Sequence, residues 1–238
     1  MTKKIAIIGG TGNLGAALAR RLAKAGHDVT IGSRSAESAE KAAAELGFDI
    51  KGLANADAAA WGDIVILAVP FAAQEGTIQQ IAPHVAGKIV VDTTVPLMPP
   101  KVMRVQLPDE GSAAQRARTL LGDDVRLVSA FHSVAAHKLI TDDEIACDVL
   151  VFGDDKEARS EVVGLANDVG LRGIHAGALV NSAAAEALTS VLIFINKTYK
   201  VDGAGIIIRA SSSTRMRRLL PHDFDPAHCQ HRRGPARR

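Results

Sequence analysis

The chain holds a single tyrosine, Tyr199, and four places on stands Gly203. The Tyr-x-x-x-Lys pair on which short-chain dehydrogenases depend is therefore missing. Two cysteines, Cys147 and Cys229, lie far apart in unlike surroundings. Neither a disulfide framework nor a spaced zinc site follows from them, and both read as free thiols. His222, His228, Cys229 and His231 match no familiar ligand spacing, so no metal is expected. Long apolar runs are also lacking: stretches such as 64–70 have the length of a strand, far short of the roughly 20 residues of a membrane helix. The first ten residues, MTKKIAIIGG, enter a strand without the apolar core and small-residue cleavage site of a secretory signal. No membrane segment and a cytoplasmic location are the expectations. There are no internal repeats.

Charge is scarce in net terms, +2 over 238 residues, yet unevenly placed. Residues 209–238 carry eight arginines against Asp223 and Asp225, so the rest of the chain is net acidic. The Arg- and Ser-rich tail has neither helical nor strand period and reads as disordered, with nucleic acid not expected as a partner.

What is present is concentrated in residues 4–34. An apolar strand over 5–8 leads into a glycine-rich turn, then an amphipathic helix, then a second strand over 28–31. Gly10, Gly12 and Gly15 fit G-x-G-x-x-G: a tight turn, close backbone approach to a pyrophosphate, and close packing of helix on strand. Leu14, Leu18 and Leu22 form the helix stripe that faces the sheet, and Gly26 stops it. The helix N-terminus offers free amides and a dipole to phosphate oxygens. An acid at the end of the second strand would select NAD by bonding both ribose hydroxyls. That acid is absent here, where the sequence reads Ile31-Gly32-Ser33-Arg34. Ser33 and the forked Arg34 guanidinium instead suit the 2′-phosphate of NADP.

Downstream, strand and helix patterns alternate. Helices are expected over 35–46, 55–60, 74–82 and 112–121, and strands over 50–53, 63–70, 87–92 and 125–130. The last strand delivers Phe131-His132-Ser133. A further strand over 149–152 and a helix over 156–169, capped by the acids at 154–155, follow. The order predicts a doubly wound α/β fold, a Rossmann-like parallel sheet with right-handed crossovers and ligands at the carboxyl ends of the strands. Beyond it, a short segment over 172–178 and a helix over 181–200, with Leu188, Val191, Leu192, Ile195 and Tyr199 on one face, make a small, mostly helical C-terminal domain. The expected divisions are 1–153, 154–208 and the tail 209–238. A small unit built on one apolar helix face predicts a homodimer.

Residues 4–208 resemble the NADPH-dependent reductases of coenzyme F420, the 8-hydroxy-5-deazaflavin reductases. The resemblance rests on GGTGNLG (9–15), IGSR (31–34), the strand ending in Pro70, TVP (94–96), SAFHSVAA (129–136), FGDD (152–155), GALVNSAAAEALT (177–189) and GAGI (203–206). It implies hydride transfer between NADP(H) and the deazaflavin. Thr11, Gly12, Asn13 and Leu14 would cradle the pyrophosphate, and Ser33 and Arg34 the 2′-phosphate. Ser38 stands four residues after Arg34, where some members carry a basic residue. The deazaflavin would stack on the nicotinamide in a cleft lined near Pro70, Val95, Pro96, His132, Val134 and Ala136. Catalysis then needs mainly ring stacking and exclusion of water, with a hydrogen-bond donor, His132 or Ser133, for the charge that shifts. Ala135 occupies a position that can be Pro in the family, and the tail after Ile208 has no family counterpart.

Two other readings use the same nucleotide half. One is an NADPH-dependent reductase of another small acceptor such as an imine, with Lys197 as its acid. The other is a non-catalytic NADPH sensor whose basic tail contacts a partner.

Overall fold

The computed structural model describes residues 2–209. Alternation begins with β1 (Lys4–Ile8), α1 (Asn13–Lys24), β2 (Asp28–Ser33), α2 (Ala36–Leu46), β3 (Lys51–Ala54) and α3 (Asn55–Trp61). It continues through β4 (Ile64–Leu67), α4 (Phe71–Ile81), β5 (Ile89–Asp92), α5 (Ala113–Leu121) and β6 (Arg126–Ser129). A one-turn helix α6 (Ala136–Leu139), which the sequence reading did not anticipate, precedes β7 (Asp148–Gly153), α7 (Lys156–Asp168), β8 (Arg172–Gly177) and α8 (Ser182–Tyr199). The strands form one sheet ordered β3-β2-β1-β4-β5-β6-β7-β8.

The apolar runs of β1, β4 and β5 are explained by helices on both faces. Ile5, Ile7, Ile64, Ile66 and Val91 turn one way, into a core shared with Leu18 and Leu22 of α1 and with α7. Ala6, Ile8, Val65, Leu67 and Val90 turn the other way, onto α3, α4 and α5. The division follows the two-residue period of a strand. Helix starts are marked by side chains bonded to the amide three residues on: Ser35 to Ser38, Ser112 to Gln115, and Asp155 to Ala158. Each such cap contributes about 1 kcal/mol. Asp154, expected to share the cap of α7, instead accepts the Leu179 amide.

The last third differs from the expectation. β7 runs antiparallel to β6, pairing Phe152 with Ser129, and β8 pairs in parallel with β7. The expected division at 153/154 therefore falls within one sheet, and the described residues up to Ile207 belong to one compact unit. Strand β8 hides because its sequence, RGIHAG, has little β-branched character. The tail from residue 210, with Cys229 and the three histidines near it, lies outside the described residues.

The expectation of no membrane segment meets one qualification. Residues Leu179–Tyr199 are long and apolar enough to cross a membrane by length and composition alone, with mean hydropathy 1.4. Their inner side packs on the protein: Ser182, Ala185, Glu186, Ser190 and Leu192 are buried. Val191, Phe194 and Tyr199 face outward, so the five residues expected on one face are divided between two.

Candidate active site

Gly9 and Gly10 leave β1 with their amides donating to the Gly32 carbonyl, and Gly12 donates to Gly9. Gly9 adopts φ +82°, a conformation open to glycine, and an added Cβ would lie 2.5 Å from the Ala68 carbonyl oxygen. A Cβ on Gly10 would meet Ile31 at 2.4 Å, and one on Gly15 would meet the Gly9 oxygen at 2.5 Å. Gly12 is looser, 3.3 Å from its nearest neighbour. It caps α1 without any side-chain bond, so the first amides of the helix are free for an anion. Thr11, Gly12 and Asn13 are exposed and Leu14 half-buried. Ser33 is half-buried, and Arg34 and Ser38 are exposed at the β2 end. Backbone donors, an uncapped helix start and a cation at the adjacent strand end fit a dinucleotide phosphate chain.

Beyond the turn the strand ends are tied to one another in series. The Ala68 amide donates to Ile8, Thr93 to Leu67, and Ala130 to Asp92. The segments after β1, β4, β5 and β6 consequently lie side by side, bringing the glycine turn, Pro70, Val95 and Pro96, and His132 and Ser133 to one edge. Pro70 is exposed, Val95 half-buried and Pro96 buried.

At the β6 end, Phe131 sits at φ +67°, a strained position for an aromatic residue held in a fully packed site. The kink turns the chain so that His132 is buried, its Nε2 2.8 Å from Ser129 Oγ. Burial pushes the imidazole down to about 4, so it is neutral at physiological pH. Its Nδ1 is buried without a protein partner, as are Thr94 Oγ1 and Gln74 Oε1 nearby in the β5 and α4 segments. Ser133 is buried, and Val134 and Ala136 are half-buried. The antiparallel β7 carries its first residues past the β6 end, placing Cys147 Sγ 3.6 Å from the Ser133 carbonyl. The GAGI segment closes on it: the Asp148 amide donates to Ile206, and a Cβ at Gly205 would lie 2.7 Å from Cys147 Sγ. A cavity of about 270 Å³ opens here between Ser133, Lys138, Cys147 and Gly205.

α8 supplies contacts that sequence reasoning missed. Thr189 Oγ1 donates to the His132 carbonyl at 2.9 Å, and Ser190 Oγ to the Arg104 carbonyl. One turn earlier the buried Glu186 accepts the Ala113 and Ala114 amides at the start of α5, at 2.6 and 3.2 Å. Gln74 Nε2 donates both to the Ala113 carbonyl and to Asp92 Oδ2. Asp92, also buried, accepts the Thr94 amide. Burial raises the Asp92 carboxyl to about 6 and the Glu186 carboxyl to about 7. Asp92 had a local sign, an acid ending an apolar strand; Glu186 had none, its partners being 72 and 73 residues away. Lys197, the acid of the imine reading, is exposed near the end of α8. Among the described residues no group of three or more His, Cys, Asp or Glu is placed to hold a metal.

A glycine turn and uncapped helix start on a doubly wound sheet, with a cavity beside the end of β6, place the protein in the Rossmann-like class of folds. The model of the family described as "NADP oxidoreductase coenzyme F420-dependent" matches residues 4–96. The F420-dependent NADP reductase of Methanocaldococcus jannaschii is 42% identical over 86% of this chain and 97% of its own. Its counterpart from Methanothermobacter thermautotrophicus is 39% identical over 87% of this chain and 95% of its own. A crystal structure from Arthrobacter sp. FB24, solved as a candidate F420-dependent NADP-reductase, superposes with TM-score 0.76 at 27% identity, covering 87% of this chain and all of that one. The chain belongs to the F420-dependent NADP reductase family.

Proposed function

We propose that the protein catalyses hydride transfer between NADP(H) and coenzyme F420. The observation that carries this reading is convergence: stretches far apart in sequence, 9–15, 68–70, 93–96 and 129–136, meet at one sheet edge, and the chain matches F420-dependent reductases over nearly their whole length. When bound, the two reactants supply the chemistry, nicotinamide C4 and deazaflavin C5 exchanging hydride directly. The protein's part is to bind, orient and exclude water. Gly10, Thr11, Gly12, Asn13, Leu14 and Gly15 would hold the pyrophosphate, and Ser33, Arg34 and Ser38 the 2′-phosphate. Pro70, Val95, Pro96, Val134 and Ala136 would line the ring cleft. His132 or Ser133 would supply the hydrogen bond to the charge that shifts; a neutral His132 can donate without adding charge.

No nucleic acid or membrane enters this reading, and a cytoplasmic location is part of it. The outward face of α8, with Val191 42% and Phe194 50% exposed, supports a homodimer. Mixing protein, NADPH and oxidised F420 should bleach the deazaflavin's visible absorbance, at least tenfold faster than with NADH. Absence of bleaching with either nucleotide would refute the reading. Deleting residues 209–238 should leave transfer intact, whereas a sensor with a partner-binding tail would lose its partner.

A further inference from the structure

The start of α5 is held from two sides. Glu186 of α8 grips its first two amides, while Gln74 of α4 takes the Ala113 carbonyl and passes a second hydrogen bond to Asp92. Asp92 in turn fixes the Thr94 amide, the first turn of the segment leading to Val95 and Pro96. Ser112 and Ser182 add a buried hydroxyl pair at 3.1 Å beside the same junction. Four elements distant in sequence are thus joined by buried side chains, and the chain of bonds ends under the strand tip that walls the cleft.

We propose that Glu186 and Asp92, linked through Gln74 and Ala113, are positioning residues that lock the β5 tip to α8 and so set the geometry in which the two reactants meet. The proposal rests on the reading of that edge as the hydride-transfer site. Neither residue touches a reacting atom; they act through Thr94 and the residues after it.

Both carboxyls only accept hydrogen bonds from their partners, which favours ionisation, while burial opposes it, and the Asp92 charge adds to the cost of ionising Glu186. Among the described residues no buried Lys or Arg offsets them. On α4 and α5 the neighbouring charges, Glu75 and Arg116, pair with each other at the surface. Arg104 in the segment before α5 is exposed. Asp154, after β7, is engaged by the Leu179 amide. His132, after β6, stays neutral above about pH 4, and burial raises the Cys147 thiol. Because both carboxyls have folded values above those of exposed acids, their contribution to stability is complete below about pH 4. It is lost as pH rises through about 6 and about 7.

The test compares wild type with Glu186→Gln and Asp92→Asn. The first can satisfy only one of the two α5 amides; the second opposes its own amide to that of Gln74. Hydrogen–deuterium exchange of the segment 93–97 should rise about fivefold or more in either variant, with segment 4–33 unchanged. NADPH affinity should stay within about twofold, turnover should fall about tenfold, and the pH dependence of kcat around pH 7 should be flatter in Glu186→Gln than in wild type. Unchanged exchange at 93–97 would overturn the proposal, as would faster exchange with wild-type turnover and pH profile. Should one variant fail to fold, the other carries the same readouts. A wild-type protein inactive with F420 would count against the functional reading alone, because the exchange measurement still decides whether the lock exists.

Discussion

Arg34 and His132 mark the two ends of the candidate site, and they became visible in different ways. Arg34 stands out because the second strand ends without an acid, a property of four consecutive residues that needs no tertiary structure to read. Its guanidinium is exposed at the β2 end, free to fork onto a phosphate. A charge-assisted hydrogen bond is worth about 1.5–3 kcal/mol. Arg34→Ala should therefore raise KM for NADPH by roughly 10- to 100-fold while leaving KM for NADH within about twofold. Equal effects on both nucleotides would remove the 2′-phosphate role. His132 could be picked out as a candidate, but its state could not. Neutrality comes from burial among Phe152, Ser129 and the α8 contact, none of which spacing reveals. Glu186 is the sharper omission: in the sequence it is one acid in an alanine-rich helix, the usual dress of a solvated residue.

Among the elements, the glycine turn was almost wholly legible, since each glycine answers to a short-range steric demand. The structure ranks them, and it adds Gly9, whose positive φ and contact with the β4 end the motif does not register. Gly15→Ala places a methyl 2.5 Å from the Gly9 oxygen and 2.9 Å from the Gly10 Cα, both backbone atoms that cannot swing aside. A loss of about 1–3 kcal/mol of stability is expected, together with loss of NADPH binding. Gly12→Ala meets only the Gly9 oxygen, at 3.3 Å, and has ordinary extended φ, so it should cost less thermal stability than Gly15→Ala while NADPH affinity drops. Differential scanning calorimetry beside nucleotide titration separates the two; equal destabilisation would contradict the packing described. α8 is the contrary case. Its apolar pattern announced a helix but not which side faces inward, because Ser182, Glu186 and Ser190, polar by type, are the buried ones.

Across the whole molecule, α1 to α5 and β1 to β6 follow the alternation that the sequence displays, while β7 reverses direction and β8 extends the same sheet. The consequence is that the described residues up to Ile207 form one unit, in which residues 203–205 help to wall the cavity beside Ser133. The apolar face left on α8 belongs to this scale as well. The homodimer proposed from it predicts sedimentation at twice the monomer mass, and Phe194→Glu should shift the population to monomer with the NADPH site intact. A wild-type monomer at working concentrations would reject it.

By itself the sequence determined the periodic and the local: an apolar strand reads as buried on both faces, a glycine whose Cβ would collide reads as a turn, and a missing acid reads as room for a phosphate. Each is settled by residues within a few places of one another. Only the tertiary structure decided the direction of β7, the neutral state of His132 and the junction of Glu186, Gln74 and Asp92. Those depend on which distant groups share a low-dielectric space, and burial, not residue type, sets their charge and their partners.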